Sequence, residues 1–460
     1  MVIAAIVIGV VFGVKKPEAP IAPALVLVDG EAAFNSLSEM GGSAYSDTVF
    51  ELTSDLTLDF SGKSPIFGSV SDAFCGTFDG KGHTVKITYD SVPESGSVGL
   101  FGFIYGATVK NLSVELTLAG ANAKLAEDAT YIGAVAGFAY GDNTVENVDV
   151  SVLVNAAISA KTTVDINDVT RSYSDNTQYV GGLFGYAAGK MTVKNCKTSA
   201  FSLSASDCIN DTTTDFYDEV RKALFVGGGF GHASGVISVD GLDVTLGSVS
   251  LYAATVNFGG VAGVIEGGSV NNITVTAASA IKSVNTVKGY VGGISGYALN
   301  TAVSSYAANL RYDASSPTLS SLSFGGAAGF IDGSTFSGGT VTVNAELDYA
   351  TAFGGLVGAV RNGKIKNNTL SGGIYGLNGQ TVETSGLQNI ITAKRAYYGT
   401  LAGRVYGDSE VSGNTVAAGY KTAPDIVGFV EPLVPVDAEG NLGTPTNPVI
   451  SGNTVAGTNS

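Results

Sequence analysis

Several residue types that build binding and catalytic sites are rare in this chain. Among its 460 residues there is no Trp, and there are only two His and three Cys. So few His and Cys residues exclude a metal centre rich in them, and at most one intramolecular disulfide can form. Charged residues make up 14% of the chain, against about 25% in an ordinary globular protein, and the net charge is −16. We expect no binding to nucleic acid, because phosphate contacts need a basic surface.

The N-terminal segment is apolar and short. Residues 1–14 are almost wholly apolar and are followed by two lysines. This run is shorter than the roughly 20 residues of a membrane span, so no stable transmembrane span is predicted. It suits the apolar part of an export signal, with Ala22-Pro-Ala24 as the cleavage site, although the lysines follow the run instead of preceding it. Residues 1–24 are interpreted as an export signal or as a hydrophobic strand that the mature protein retains.

Glycine, in contrast, is abundant and recurs in a pattern. There are 63 Gly residues, against a usual share of roughly 7%, and only 11 Pro. A segment of the form φ-G-G-φ-x-G, in which φ is apolar, recurs nine times with small variations. The nine copies are residues 98–102 (one residue shorter), 132–137, 180–185, 226–231, 258–263, 291–296, 324–329, 353–358 and 398–403.

A second motif follows each copy at a nearly constant distance. Seven or eight residues after the closing Gly, an apolar residue opens a segment such as Val145-Glu-Asn-Val-Asp-Val or Val270-Asn-Asn-Ile-Thr-Val. These segments alternate apolar and polar residues and are rich in Val, Ile and Thr, which favours strands. Two segments at fixed spacing, with variable length elsewhere, indicate units that stack into a solenoid. The prediction is an all-β fold, a single parallel β-helix of about nine to eleven coils with loop insertions and a short N-terminal helical cap.

The predicted organisation has four parts. After residues 1–24, residues 25–60 form the N-terminal cap and first strands, residues 61–430 the β-helix with its nine repeats, and residues 431–460 a Pro-containing tail with a last strand at 449–455. Insertions at 138–179, 186–225 and 371–397 are expected to project as loops or extra strands. The last strand is expected to reach into a neighbouring subunit, with pairing to its own last coil as the alternative.

Equivalent positions of the repeats should form columns along the solenoid. The residue after the closing Gly is mostly aromatic or His, which predicts a stack at the coil spacing: Phe103, Phe138, Tyr186, His232, Val264, Tyr297, Phe330, Ala359 and Arg404. The third position of the second motif is mostly Asn or Gly, which predicts a turn column whose amides bond from coil to coil: Asn111, Asn147, Asn195, Gly241, Asn272, Ser305, Gly338, Asn367 and Gly413. The next position, which includes Cys196, should point inward. Gly182, Gly293 and Gly355 should occupy positions where a Cβ clashes.

The combination of motifs resembles the GLUG repeats of bacterial and archaeal cell-surface proteins. The segment Phe74-Cys-Gly-Thr-Phe-Asp-Gly-Lys-Gly-His-Thr-Val85 is similar to the coil that commonly precedes such repeats, and residues 29–40 look like a short helical cap. The resemblance covers about residues 29 to 456. It implies the solenoid part of an exported protein, such as an adhesin or a surface protease, and is weakly specific for function.

No pattern of residues points to catalysis. The acidic residues scatter over the repeats, and Asp149 and Asp243 share a column but lie two coils apart. The acidic insertion at 207–219 has no Ca²⁺-loop spacing and is interpreted as a solvated loop, with a Ca²⁺ or partner site as the alternative. His83 and His232 are assigned structural roles. We therefore predict no enzyme, no catalytic, cofactor or metal residues, and no cofactor apart from that Ca²⁺ alternative.

Composition then favours one of the remaining functions, a self-assembling structural protein, over the others. The mean hydropathy is +0.27, which is unusual for an isolated rod, and the low charge leaves little of the outer surface protected against association. The expectation is a non-enzymatic structural protein at the cell surface, secreted and self-assembling into a homopolymer as a filament, sheath or lattice. The alternatives are a monomeric adhesin, or a β-helix that binds or cleaves carbohydrate. A surface polysaccharide or a host or matrix glycan is the other expected partner.

Overall fold

The computed structural model contains parallel β-sheets and little helix. It describes residues 25–124, 129–157, 162–166, 169–173, 177–206, 223–252, 255–284, 288–314, 321–347, 352–375, 397–420, 425–432 and 446–456. Strands account for 68% and helices for 5% of the structure. The predicted all-β class with parallel, solenoid-like pairing is confirmed. The expected export signal at 1–24 lies outside the described residues.

Short helical segments occur only near the N-terminal end of the described chain. The α-helix is α1 Glu31–Ser36, and the 3₁₀ helices are Leu37–Glu39, Ser43–Tyr45 and Val70–Asp72. Phe34 of α1 is fully buried, with its ring 6.2 Å from that of Phe78 and 6.3 Å from that of Phe101. The predicted helix within residues 29–40 is therefore present, and its apolar side packs on the first strands.

Strands fill the rest of the described chain. Those before the first repeat are β1 Leu25–Val28, β2 Val49–Leu52, β3 Leu56–Asp59, β4 Thr77–Asp79 and β5 Thr84–Tyr89. Those of the first four repeats are β6 Ser97–Val98, β7 Phe101–Tyr105, β8 Thr108–Lys124, β9 Thr130–Ile132, β10 Ala136–Ala157, β11 Thr162–Ile166, β12 Val169–Tyr173, β13 Gln178–Gly181, β14 Phe184–Ser206, β15 Ala223–Gly227 and β16 Phe230–Tyr252.

The later repeats consist of shorter strands. They are β17 Thr255–Gly259, β18 Ala262–Glu266, β19 Ser269–Ala277, β20 Ile281–Val284, β21 Lys288–Gly292, β22 Ser295–Leu299, β23 Ala302–Ala314, β24 Ser321–Gly325, β25 Ala328–Asp332, β26 Thr335–Ser337, β27 Thr340–Leu347, β28 Ala352–Gly354, β29 Val357–Arg361, β30 Lys364–Lys366, β31 Thr369–Tyr375, β32 Tyr397–Gly399, β33 Ala402–Tyr406, β34 Glu410–Ser412 and β35 Thr415–Val416. After them come β36 Val427–Glu431, β37 Val449–Ser451 and β38 Thr454–Val455.

Each repeat contributes to four faces of the stack. In the third repeat, face I is β13, and β14 bends to form face II (184–188), face III (190–194) and face IV (196–206). Every face pairs in parallel with the same face of the next repeat, for example Val180 with Val226 on face I and Val193 with Val239 on face III. The nine face I strands form one sheet, and faces II, III and IV share the large 27-stranded sheet. The apolar core fills the interior.

The bend between faces III and IV is made by the predicted Asn/Gly column. All nine predicted members have φ between 49° and 79°, in the left-handed region that Asn and Gly tolerate best. The amide of Asn147 donates to Asn111 Oδ1 at 3.1 Å, and that of Asn111 donates to Asp79 Oδ1 at 3.1 Å. The turn position is confirmed for the whole column, and the amide ladder is confirmed for this Asn–Asn pair.

The paired glycines lie where two coils come closest. A Cβ on Gly182 would collide with the carbonyl oxygen of Gly228, and one on Gly293 with the carbonyl oxygen of Gly326. A Cβ on Gly355 would lie 2.5 Å from the carbonyl oxygen of Thr400. The nearest obstacle at Gly182 and Gly293 is a backbone atom, which cannot rotate away as a side chain can. At Gly355 the side chain of Leu370 crowds the same position as the Thr400 carbonyl. The predicted clash is confirmed at all three positions.

The insertions are smaller than predicted. Residues 138–157 and 186–206 belong to the long strands β10 and β14 and pair with neighbouring repeats. Among the described residues of the insertions, only the antiparallel pair β11–β12 forms the expected extra strands, and 371–375 belong to β31. The predicted bounds at 138 and 186 begin directly after the closing glycine of a repeat, so they include faces II, III and IV, which pair from repeat to repeat. Residues 207–222 and 376–396 lie outside the described residues.

The tail does not leave its own subunit. β37 pairs in parallel with β34, and β38 pairs with β35. The prediction that this strand reaches into a neighbour is wrong, because its Ser-Gly-Asn-Thr-Val sequence repeats that of residues 412–416 and continues the same two faces.

Candidate functional site

The predicted aromatic column exists on the outer surface of face II. Ring centroids of Phe138 and Tyr186 lie 5.1 Å apart with an interplanar angle of 7°, and those of Tyr297 and Phe330 lie 5.3 Å apart. The imidazole of His232 is 4.8 Å from the ring of Tyr186. The stack at the coil spacing is confirmed for these members.

A second aromatic column, which sequence reasoning missed, runs beside the first on face I. Its members are Tyr131, Tyr179, Phe225, Tyr290 and Tyr397. Tyr179 stacks on Tyr131 at 5.3 Å and packs edge-on against Tyr186 at 5.1 Å. The signal was present, because each of these residues directly precedes the apolar residue that opens a copy of the glycine motif. We call the two columns together the aromatic strip.

The aromatic strip lies in a re-entrant angle between faces I and II. A Cβ on Gly185 of face II would lie 2.8 Å from the carbonyl oxygen of Tyr179 on face I, so the two faces nearly touch there on the outside. Tyr179 and Tyr186 are half-buried on this side, while Val180 and Phe184 point into the core. The closing glycine of each motif therefore permits the sharp corner, and the aromatic rings fill the angle that it leaves.

The strip is interrupted near its middle, just after His232, by Asn257 on face I and Val264 on face II, which are not aromatic. The His232 side chain is 15% exposed, neither of its ring nitrogens has a hydrogen-bond partner among the described residues, and Nε2 lies 3.8 Å from Glu266 Oε1. Burial lowers the pKa of His232 to about 4 and raises the pKa of Glu266. Asn257, 7% exposed, has a buried Oδ1 with no partner in the part of the chain that the structure describes. The interruption separates two aromatic clusters along the rod.

Carboxylates also line one side of the strip. Glu266 and Asp332 occupy the same column of face II, with Leu299 between them. The Asp332 carboxylate accepts a hydrogen bond from the guanidinium of Arg361, which lies over the ring of Phe330 at 5.6 Å. The Asp332 carboxylate is therefore already paired with the Arg361 cation.

The column that was predicted to hold Asp149 and Asp243 also contains a lysine. Asp149 pairs with Lys197, and Lys197 pairs with Asp243, so the two carboxylates lie two strand spacings apart as predicted. Two spacings are about 10 Å.

The two described cysteines are buried, and His83 lies beside a carboxylate. Cys75 and Cys196 are buried free thiols, and burial raises the pKa of each to about 11. His83 Nδ1 lies 3.1 Å from Asp55 Oδ1. Among the described residues no group of three or more His, Cys, Asp and Glu side chains could hold a metal ion. Cys208 and the acidic insertion at 207–219 lie outside the described residues.

The C-terminal end of the stack exposes its interior positions. Val430 of β36 pairs with the fully buried Val405, and Ile450 of β37 pairs with the fully buried Val411. Val430 is nevertheless 43% exposed and Ile450 37% exposed, because no described strand covers them. Core-type side chains therefore meet solvent at this end.

Comparisons with known proteins found no match. No family model, no curated protein and no solved structure matches it. The resemblance to GLUG repeats therefore depends on the sequence motifs alone. No helix within the described ranges is long and apolar enough to cross a membrane.

Proposed function

We propose that this chain is a non-enzymatic structural subunit that assembles with copies of itself at the cell surface. The observation that carries the proposal is the open C-terminal end, where Val430 and Ile450 occupy core positions and yet are exposed. Burying such side chains against another subunit is favourable by about 25 cal/mol for each Å² of apolar surface removed from water. Strand edges at the same end that have no partner among the described residues favour addition of another strand.

The finer features of the proposal come from the sequence. Each glycine repeat is taken as one coil, nine to eleven in all, and α1 is taken as a cap that covers the interior at the N-terminal end through Phe34. This cap leaves the outer edge of β1 unpaired among the described residues. Residues 1–24 are taken as the export signal of an extracellular protein, and the assembly is taken as a homopolymer in the form of a filament, sheath or lattice. No cofactor or catalytic residue is assigned.

The test is the assembly of the purified full chain. Negative-stain microscopy and light scattering over a range of concentrations should show ordered assemblies that lengthen as the concentration rises. The variant Val430→Asp should stay monomeric, because a carboxylate at this position cannot be buried without a partner. Val236→Asp is the matched control, since Val236 is 65% exposed on a side of the rod and not at its end.

The outcomes separate the possibilities. A full chain that remains monomeric at every concentration would overturn the proposed function. If Val236→Asp abolishes assembly while Val430→Asp does not, the subunits associate through their sides.

A second candidate function is carbohydrate binding, and the aromatic strip favours it. Flat rings with polar edges, such as Tyr290 and Tyr297, offer an apolar face and a hydroxyl to a sugar. Co-sedimentation with insoluble polysaccharides tests it. Tyr297→Ala should reduce binding at least about fivefold, about 1 kcal/mol, whereas Thr274→Ala, on the exposed surface of face IV, should not. Equal binding by both variants would remove this candidate.

A further inference from the structure

Face III forms an uninterrupted ladder from one end of the described chain to the other. It contains thirteen strands or strand segments paired in parallel, beginning with β1 and ending with β37. Faces I and II start later, since their first strands are β6 and β7. The first and last strands of this ladder are therefore on the same wall of the rod, at opposite ends.

One inward-facing column follows the whole ladder without a change of register. It runs through Val26, Phe50, Phe78, Val109, Val145, Val193, Val239, Val270, Val303, Phe336, Ile365, Val411 and Ile450. Every interior member is at most 1% exposed, whereas Ile450 at the end is 37% exposed and Val26 is only partly buried. The two end members are thus apolar like the rest of the column, but each has a described neighbour in the ladder on one side only.

The outer edges of the two end strands are unpaired within the described residues. β1 pairs with β2 on one side only, and β37 pairs with β34 on one side only. Val449 donates its N–H to the carbonyl of Ser409 at 2.8 Å, and Ser451 accepts from the N–H of Gly413 at 3.1 Å. Since the backbone groups of alternate residues point to opposite sides of a strand, those of Ile450 point outward along the rod.

Exposed apolar side chains are concentrated on the strands at the two ends. Of the nine large hydrophobic residues that are exposed within the described ranges, five lie on β1, β36 and β37: Leu25, Leu27, Val430, Val449 and Ile450. Leu25 is 52% exposed and Val449 54% exposed, and both belong to the first position of the face III ladder. A second copy stacked end to end would bring these two side chains together.

We infer that β37 of one copy pairs in parallel with β1 of a second copy and continues the face III ladder in the same register. The pairs formed are Val449 with Leu25, Ile450 with Val26, and Ser451 with Leu27. This inference rests on the proposed function, since it specifies the contact through which copies assemble. The occupant is a second copy because β1 presents apolar residues that match those of β37 in the register of the ladder, and both strands have an unpaired outer edge within the described residues. Within one chain the ladder holds the two strands twelve strand spacings apart, about 58 Å, so they cannot pair with each other.

A disulfide between copies tests the register directly. In a Cys208→Ser background, purified Leu25→Cys and Val449→Cys variants are mixed in equal amounts, allowed to assemble and oxidised. Neighbouring strands in register place the two Cα atoms about 4.8 Å apart, within the range that a disulfide spans. We expect a disulfide-linked dimer on non-reducing gels in the mixture.

The matched control moves one cysteine by two residues. Leu27→Cys mixed with Val449→Cys keeps both side chains on the same surface but separates the Cα atoms by about 8 Å, beyond the reach of a disulfide. The in-register pair should give at least about tenfold more dimer than this pair. Cys75 and Cys196 remain in all variants and are buried, so they add the same background to each mixture.

The outcomes distinguish this contact from the function itself. Microscopy of each mixture before oxidation reports whether ordered assemblies form. Assemblies with equal or no cross-linking in the two pairs would overturn the β37–β1 contact and leave the proposed function standing. Absence of assemblies from the unmodified full chain would overturn the proposed function. More dimer from the Leu27→Cys pair would show a different register and would also contradict the inference.

Discussion

At the scale of single residues, the glycines of the repeated motif act as spacers between coils. Gly182, Gly293 and Gly355 each face a backbone carbonyl of the next coil at a distance that excludes a Cβ. The apolar residue beside them fills the core, as Leu183 does. The six-residue glycine motif thus supplies both the sharp turn and the core packing.

Replacing one of these glycines should be costly. Gly293→Val should lower the free energy of unfolding by about 3 kcal/mol, because the new side chain must displace the Gly326 backbone. Chemical denaturation measures the change. Gly30→Ala is the control, since nothing lies within 4 Å of a Cβ there, and it should change stability by less than about 0.5 kcal/mol. Equal stability of the Gly293 variant would show that the coils can separate freely.

His232 should make stability depend on pH. Its folded pKa is about 4, below the ordinary 6.5, so between these values the unfolded chain binds the proton more readily. Stability is therefore complete above about pH 6.5 and falls by up to about 3 kcal/mol as the pH approaches 4. Glu266, whose pKa burial raises, contributes with the opposite sign at the acid end.

The variant that isolates the histidine is His232→Phe. Phe occupies the same column in Phe138 and Phe330, so the ring stack should be preserved. Denaturation midpoints measured between pH 4 and 7 should fall less steeply in this variant than in the unmodified chain. Identical pH profiles would show that the imidazole is not buried.

At the scale of elements, the corner between faces III and IV changes character along the rod. The inward position after the turn is apolar in the early repeats and becomes Asn in the last ones: Leu112, Val148, Cys196, Leu242, Ile273, Tyr306, Gly339, Asn368, Asn414 and Asn453. Asn368 Nδ2 donates to Asn414 Oδ1 at 3.0 Å, and Asn414 Nδ2 donates to Asn453 Oδ1 at 2.9 Å. This buried ladder joins strands β31, β35 and β38.

Breaking the ladder in its middle should destabilise the C-terminal coils. Asn414→Leu leaves both the backbone N–H and the amide of Asn368 without their acceptor, which should cost about 2 kcal/mol. Hydrogen exchange of the amides in β35 and β38 should report the loss locally. Asn309→Leu, on the exposed surface of β23, is the control and should leave that exchange unchanged.

The sequence was sufficient to predict the strands and the turn column, but not the second aromatic column or the path of the tail. The alternation of Val and Thr identified strands, and the Asn/Gly column identified the turn, because both signals are local. The second aromatic column was missed although its residues sit at a fixed position, since the half-buried corner that gathers them forms only when faces I and II fold together. The pairing partner of the last strand could not be predicted, because the proline-containing linker before it carries no local signal of the direction it takes.

At the scale of the whole molecule, few charges oppose association. Ion pairs between coils, such as Lys190 with Asp142 at 2.7 Å, are exposed and contribute little to stability. The net charge of −16 makes copies repel one another weakly over the Debye length. Apolar burial and backbone pairing at the ends must exceed this repulsion for assembly.

Salt should therefore promote assembly. Raising NaCl from about 0.05 M to about 1 M shortens the Debye length to about 3 Å and screens the repulsion, so filaments should become longer. Length distributions from electron microscopy measure the effect. Dissolution at high salt would show that ion pairs, and not apolar contacts, hold the copies together.

The sequence by itself determined the all-β class, the solenoid stacking and the columns, because each repeat presents the same residue types at the same local positions. Only the tertiary structure decided three further features: which strand forms each end of the face III ladder, where the aromatic residues of faces I and II meet, and that β1 and β37 lie on one wall. These three features depend on where the stack of coils ends and on how sharply each coil turns. Such long-range geometry emerges when the backbones pack at their closest approach, and no local pattern of residues encodes it.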